Sequence, residues 1–221
     1  MKRKRITFLA MLMLAVILLM PASIQASAKP GTVKLTKITA VDYNKINIKW
    51  KKSSDATSYI VYYKEAGNSK WIKLKTLGRT KSSYIHTSSR KYPIVVGQKY
   101  QYTVKAYNKK TKKSGNYNTK GLTVTASLKM VTGIEAKIEG TTVKLTWNKV
   151  SGADKYAIYS KIKADDKWSK IITVKDTSSF IDVNPCVDCT NYYSVRGYSS
   201  STKAYGIMNK TGTIEKFSVG S

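Results

Sequence analysis

One spacing occurs twice. Trp50 and Trp71 bracket WKKSSDATSYIVYYKEAGNSKW, and Trp147 and Trp168 bracket WNKVSGADKYAIYSKIKADDKW, 21 positions apart in both cases. Between them Ala56, Tyr59, Val61 and Tyr62 match Ala153, Tyr156, Ile158 and Tyr159, 97 positions further on. A chain that repeats its aromatic anchors at such an interval is built from two similar units. Each unit, at roughly 90 residues, is long enough to close a core of its own.

Alternation with period two runs through both units. Ile46–Trp50 and Val143–Trp147 are apolar on one side and polar on the other, the pattern of a half-buried strand. Further strands are expected at Tyr59–Lys64 and Tyr156–Lys161, at Trp71–Leu77 and Trp168–Val174, and at Tyr84–Ile85 and Phe180–Ile181. Long strands follow at Tyr100–Tyr107 and Tyr192–Tyr198. Each unit opens near Leu35–Val41 or Val131–Ile138 and closes near Leu122–Ala126 or Ile207–Ile214. Polar clusters such as Gly67-Asn68-Ser69 and Ser151-Gly152 supply turns, and nothing after Ala28 keeps a helical period. The expected fold is all-β: two tandem immunoglobulin-like antiparallel sandwiches. The joint at Ser127-Leu128-Lys129 is short and lacks Pro and Gly, which should limit independent swinging.

At the N-terminus a basic head, Met1–Arg5, precedes a 15-residue apolar run, Ile6–Met20, then Pro21 and the small residues Ala26-Ser27-Ala28. The run is short for a spanning helix and ends in a cleavage-like site, so residues 1–28 read as an export signal. The expected division is 1–28 signal, 29–128 first domain and 129–221 second domain. No transmembrane segment is expected after cleavage, and the product should be secreted or at the cell surface.

Each unit resembles a bacterial fibronectin type III domain. The resemblance rests on Trp50 or Trp147 on the second strand, A-x-x-Y-x-V/I-Y on the third and Trp71 or Trp168 opening the fourth. The G-x-x-Y-x-Y-x-V-x-A-Y pattern at Gly97–Tyr107 completes it. It spans nearly all of the chain after residue 28. Such domains serve as spacers, adhesive modules or ligand-binding modules, so the resemblance implies a binding role. It also implies that Tyr100 is a corner tyrosine whose hydroxyl ties a loop to nearby backbone. Trp50 and Trp147 should point inward and dominate their cores. The second unit departs at the corner: Asn191 stands where Tyr100 would be, and Asp188 where Gly97 would be.

Cys186-Val187-Asp188-Cys189 lies in this altered corner and carries the only cysteines. A structural disulfide, a redox-active pair and half of a zinc site all fit a C-x-x-C spacing. Redox pairs sit at helix N-termini that lower the thiol pKa, whereas here a loop precedes a strand. Zinc needs two more ligands, and the single histidine, His86, is in the other unit. Export favours the disulfide. A thiol–disulfide oxidoreductase using Cys186 and Cys189 is the alternative. With one histidine, expected on the surface, and no phosphate-binding loop, the chain offers no catalytic constellation; no cofactor or metal is expected.

The formal net charge is +28, and the signal contributes four of the positives and no acid. Such an excess points to an anionic partner: a cell-wall polymer, a glycan or an acidic surface protein. Nucleic acid satisfies the charge, but no recognition motif accompanies it. Lysine dominates, and arginine occurs only at 3, 5, 79, 90 and 196. Strand parity places Tyr62, Lys64, Trp71, Lys73, Lys75 and Lys105 on one outward sheet face. The second unit repeats this with Tyr159, Lys161, Trp168, Lys170 and Arg196. Aromatic rings among cations suit a polyanion or a sugar chain. Long lysine stems also cover exposed rings without any ligand. The expected function is a secreted, non-catalytic binding or adhesion module held to anionic envelope polymers or glycans by its basic surface.

Overall fold

The computed structural model describes residues 29–217; the expected signal, residues 1–28, lies outside them. The first unit comprises β1 (Leu35–Asp42), β2 (Lys45–Trp50), β3 (Ser58–Glu65), β4 (Ile72–Gly78), β5 (Ser83–Thr87), β6 (Lys99–Asn108), β7 (Lys113–Ser114) and β8 (Leu122–Thr125). The second comprises β9 (Glu135–Glu139), β10 (Thr142–Thr146), β11 (Lys155–Lys161), β12 (Ser169–Lys175), β13 (Ser179–Asp182), β14 (Cys189–Ser199), β15 (Ala204–Tyr205) and β16 (Thr213–Phe217). No helix occurs among the described residues.

Each unit pairs a three-stranded sheet with a five-stranded one, all antiparallel. The small sheets run β1-β2-β5 and β9-β10-β13. The large sheets run β4-β3-β6-β7 and β12-β11-β14-β15, with β8 added on β6 and β16 on β14. Alternation decides which residues meet between the sheets. Ile46, Ile48 and Trp50 from β2 face Tyr59, Val61 and Tyr63 from β3 and Tyr102, Val104 and Ala106 from β6. The indole of Trp50 is 3% exposed and stacks 5.7 Å from Tyr59; Trp147, 4% exposed, lies 5.5 Å from Tyr156. Each of these tyrosines also ties the loop after its tryptophan: Ser53 N donates to Tyr59 Oη at 2.9 Å, and Val150 N to Tyr156 Oη at 2.8 Å.

His86 is not on the surface. On β5 it stands opposite Ile46, an inward position, and only 1% of it is exposed. Its Nδ1 lies 2.7 Å from Tyr102 Oη and its Nε2 3.2 Å from Tyr92 O. Burial lowers its pKa, so the ring is neutral, donating to the Tyr92 carbonyl and accepting from the Tyr102 phenol. The second unit satisfies the matching buried phenol differently, Tyr193 donating to Asp182 Oδ2 at 2.7 Å.

At the joint, Leu128 is fully buried and packs in the second core, although its sequence position marks the end of the first domain. Val96 of the first unit joins the same core, and Tyr43 packs against it. Asp42 and Lys129 form an ion pair across the joint at 3.7 Å.

Candidate polyanion-binding face

The outward face of each large sheet carries the aromatic and basic residues. In the first unit Tyr62 on β3 stands opposite Lys73 on β4 and Thr103 on β6, and Lys64 opposite Gln101. Lys105 stands opposite Ile60, on the same face. Lys75 does not belong to this group. A β-bulge at Leu74 sets Lys75 opposite inward-facing Val61, because two residues of β4 there oppose one of β3. Strict alternation cannot register the extra residue. The second unit bulges at the matching point, Ile171, and keeps Lys170 opposite Tyr159.

Trp71 and Trp168 precede β4 and β12 by one residue. Each indole edge abuts a glycine that leads into the last strand. A methyl group on Gly121 would lie 3.4 Å from Trp71 Cη2, and one on Gly212 2.9 Å from Trp168 Cη2. Both glycines also have positive φ, +52° and +62°. On the opposite side a lysine covers the ring: Lys64 Nζ is 5.0 Å from the Trp71 centroid, and Lys161 Nζ 4.9 Å from that of Trp168 and 5.3 Å from that of Tyr192. Both ammonium groups donate to a loop carbonyl, Lys64 to Asn68 O at 2.5 Å and Lys161 to Ala164 O. These two lysines are therefore committed to their own hairpins.

A second duplicated feature holds the glycines. Asn118-Thr119-Lys120-Gly121 and Asn209-Lys210-Thr211-Gly212 share an N-x-x-G pattern. Gly121 N donates to Asn118 Oδ1, and Gly212 N to Asn209 Oδ1, both at 3.1 Å. The buried hydroxyls of Thr103 and Ser194 donate to the two asparagine carbonyls at 2.9 and 2.6 Å. The repetition of N-x-x-G after each long strand was the available signal.

The faces then diverge. In the first unit Tyr117 folds over the sheet, its ring 5.3 Å from Tyr62 and 4.4 Å from Lys105 Nζ. Burial, followed by the hydrogen bond and charge of the Tyr117 phenol, pushes the Tyr62 pKa up to about 12, which keeps that hydroxyl neutral. Met208 takes the matching place in the second unit. There Arg196 donates from Nε to Gly206 O at 2.7 Å, and its Cζ stacks 5.0 Å over Tyr205, itself 4.6 Å from Tyr198.

At the corner of the first unit, Tyr100 is 1% exposed and its Oη accepts from Val95 N at 2.9 Å. In the second, Asn191 does this work with an amide. Its Oδ1 accepts from Cys186 N at 3.0 Å and its Nδ2 donates to Cys186 O at 2.8 Å, five residues upstream as in the tyrosine case. Asp188 adopts φ +59° where Gly97 has +89°. Cys186 and Cys189 are joined as a disulfide. No cluster of metal-binding side chains occurs among the described residues.

Among the described residues, ion pairs join Asp42 to Lys129, Glu139 to Lys144 and Asp176 to Lys175. Most of the positive excess therefore has no carboxylate beside it.

No family model matches the chain, and no curated protein matches it. Among solved structures, a two-domain fibronectin type III segment of chicken tenascin aligns with 86% of this chain and 99% of its own, with a TM-score of 0.51 at 11% identity. The FN1–FN3 segment of chicken CNTN1 covers 87% of this chain and 69% of its own, with a TM-score of 0.37 at 18% identity. The fold is that of two tandem fibronectin type III sandwiches.

Proposed function

We propose that the protein is an exported, non-catalytic binding module that its basic surface tethers to anionic envelope polymers or glycans. The observation that carries this reading is the formal charge of +28, of which residues 1–28 supply four, leaving about +24 on the exported chain. Uncompensated lysines on two rigid sandwiches create a long-range attractive field for polyanions. Because Lys64 and Lys161 are bound to their own loops, Lys73, Lys105, Lys170 and Arg196 are the cations of the faces that such a polymer meets.

Salt tests the reading. The screening length is ~8 Å at physiological ionic strength and ~3 Å at 1 M. Protein bound to its producing cells should elute between these concentrations. Quantitative retention in 1 M salt would show that charge is not the tether.

A further inference from the structure

The two outward faces are equivalent by descent but not in what they present. Across the second unit's large sheet, one residue from each of four strands forms a row: Lys170 on β12, Tyr159 on β11, Arg196 on β14 and Tyr205 on β15. Lys170 stands opposite Tyr159. Tyr159 stands opposite Ser194, and Ala157 opposite Arg196, so Tyr159 and Arg196 are diagonal neighbours. Such neighbours lie ~7–8 Å apart, within reach of long side chains. Ala157 carries only a methyl group and raises nothing above the sheet between them.

Arg196 is held in one orientation. Its Nε is anchored to Gly206 O, and its Cζ lies 5.0 Å from the centre of the Tyr205 ring, which is itself beside Tyr198. Among the described residues no carboxylate pairs with it. A guanidinium held through Nε keeps its two Nη groups available as a fork, the geometry that matches a carboxylate with two parallel hydrogen bonds. On either side stand phenol rings, Tyr205 being 38% exposed. Flat rings beside a fixed fork match a sugar that carries a carboxylate: the pyranose lies on a ring and the acid meets the arginine.

The first unit lacks this arrangement. Lys105 replaces Arg196, and Ser114, paired with Tyr107, takes the place of Tyr205. Tyr117 closes over both Tyr62 and Lys105. What remains there is point charge without a fork, beside a Tyr117 ring that is 37% exposed.

Resting on the tether reading above, we propose that the row Lys170, Tyr159, Arg196 and Tyr205 is a binding site for polysaccharides bearing uronic acids, and that the matching face of the first domain is not. The full exported chain is titrated at 0.15 M salt with polygalacturonate and, separately, with dextran sulfate, which is at least as highly charged per sugar but carries no carboxylate. Arg196→Lys keeps the charge and removes the fork. It should weaken polygalacturonate binding roughly tenfold while leaving dextran sulfate within about twofold. Lys105→Arg, the matching change in the first domain, should alter neither. Tyr159→Ala, which leaves the fork in place, should also weaken polygalacturonate selectively. Unchanged polygalacturonate binding by Arg196→Lys overturns the proposal, as does an equal loss for both polymers. Binding of dextran sulfate without polygalacturonate by the unaltered protein overturns it too and leaves the tether standing. Binding of neither polymer removes both.

Discussion

Replacing Asn191 with alanine isolates what holds the second sandwich at its corner. The side chain is 3% exposed and engages both backbone groups of Cys186. Alanine leaves that N–H and C=O without their partners. Such a loss costs about 1–3 kcal/mol per group when the site is buried. Cys186 is half-buried, so the low end applies, giving roughly 2 kcal/mol in total. For a unit of this size 1 kcal/mol lowers Tm by about 4–8 °C, so the second domain should melt ~8–16 °C earlier. The disulfide closes a loop of only four residues, for which chain entropy gives about 2 kcal/mol at most. With Asn191 pinning the same turn, reduction alone should cost less than that figure. The assay is calorimetry of the full chain with and without reductant, with hydrogen exchange at Tyr193 and Val195 against Tyr102 and Val104 assigning each transition. Asn191→Ala should lower the second transition while oxidised, and reduction should lower it further in the variant than in the parent. An oxidised variant that melts with the parent would show that the amide is not the tie.

Four further outcomes follow from particular side chains. His86 has a lowered folded pKa, so the unfolded chain takes up the proton first; its contribution is complete above about pH 6.5 and is lost as pH falls below that value toward the folded pKa. The first domain's Tm should therefore drop between pH 7 and 5.5, and His86→Leu should flatten that slope while lowering Tm at pH 7; equal slopes in both proteins would exclude the histidine as the cause. Gly212→Ala puts a methyl against Trp168 and the Tyr193 carbonyl at φ +62°, which should cost about 1–3 kcal/mol and red-shift tryptophan emission, and an unshifted spectrum at unchanged Tm would contradict the packing. Lys64→Ala should lower Tm by a few degrees, through loss of a contact over Trp71 worth about 1 kcal/mol, with polyanion binding nearly intact. Lys73→Ala together with Lys170→Ala should do the reverse, and binding lost with Lys64 instead would invert the assignment.

Strand parity made most of this legible. The apolar positions of β2, β3, β6 and their counterparts repeat every second residue, and burial obeys them, which is why Trp50 and Trp147 could be placed inward from sequence. Parity failed where the backbone breaks it. The bulge at Leu74 moves Lys75 off the face, and no residue in Ile72–Gly78 marks a bulge by type. His86 was misplaced for a different reason: a polar residue reads as exposed unless its buried partners are known, and Tyr102 and Tyr92 lie 16 and 6 positions away. The corner amide was legible only as a gap, since one asparagine replacing a tyrosine does not announce two hydrogen bonds to a cysteine backbone.

Net charge, likewise, does not sort lysines by what they do. Lys64 and Lys161 sit beside the most exposed-looking aromatics of their units and so resemble binding residues in sequence. Yet each has an aromatic ring beneath it and a carbonyl at its tip, and releasing it to a ligand would forfeit both contacts. Lys73 and Lys170 stand across from Tyr62 and Tyr159 and form none of the internal ion pairs seen among the described residues. Duplication supplied two copies of one self-locking device, Lys–Trp–Gly, which stiffens each outward face. A face stiffened that way can change its remaining residues without losing the sheet beneath. The first unit has used that freedom to place Tyr117 against Tyr62, and the second to set an arginine beside Tyr205.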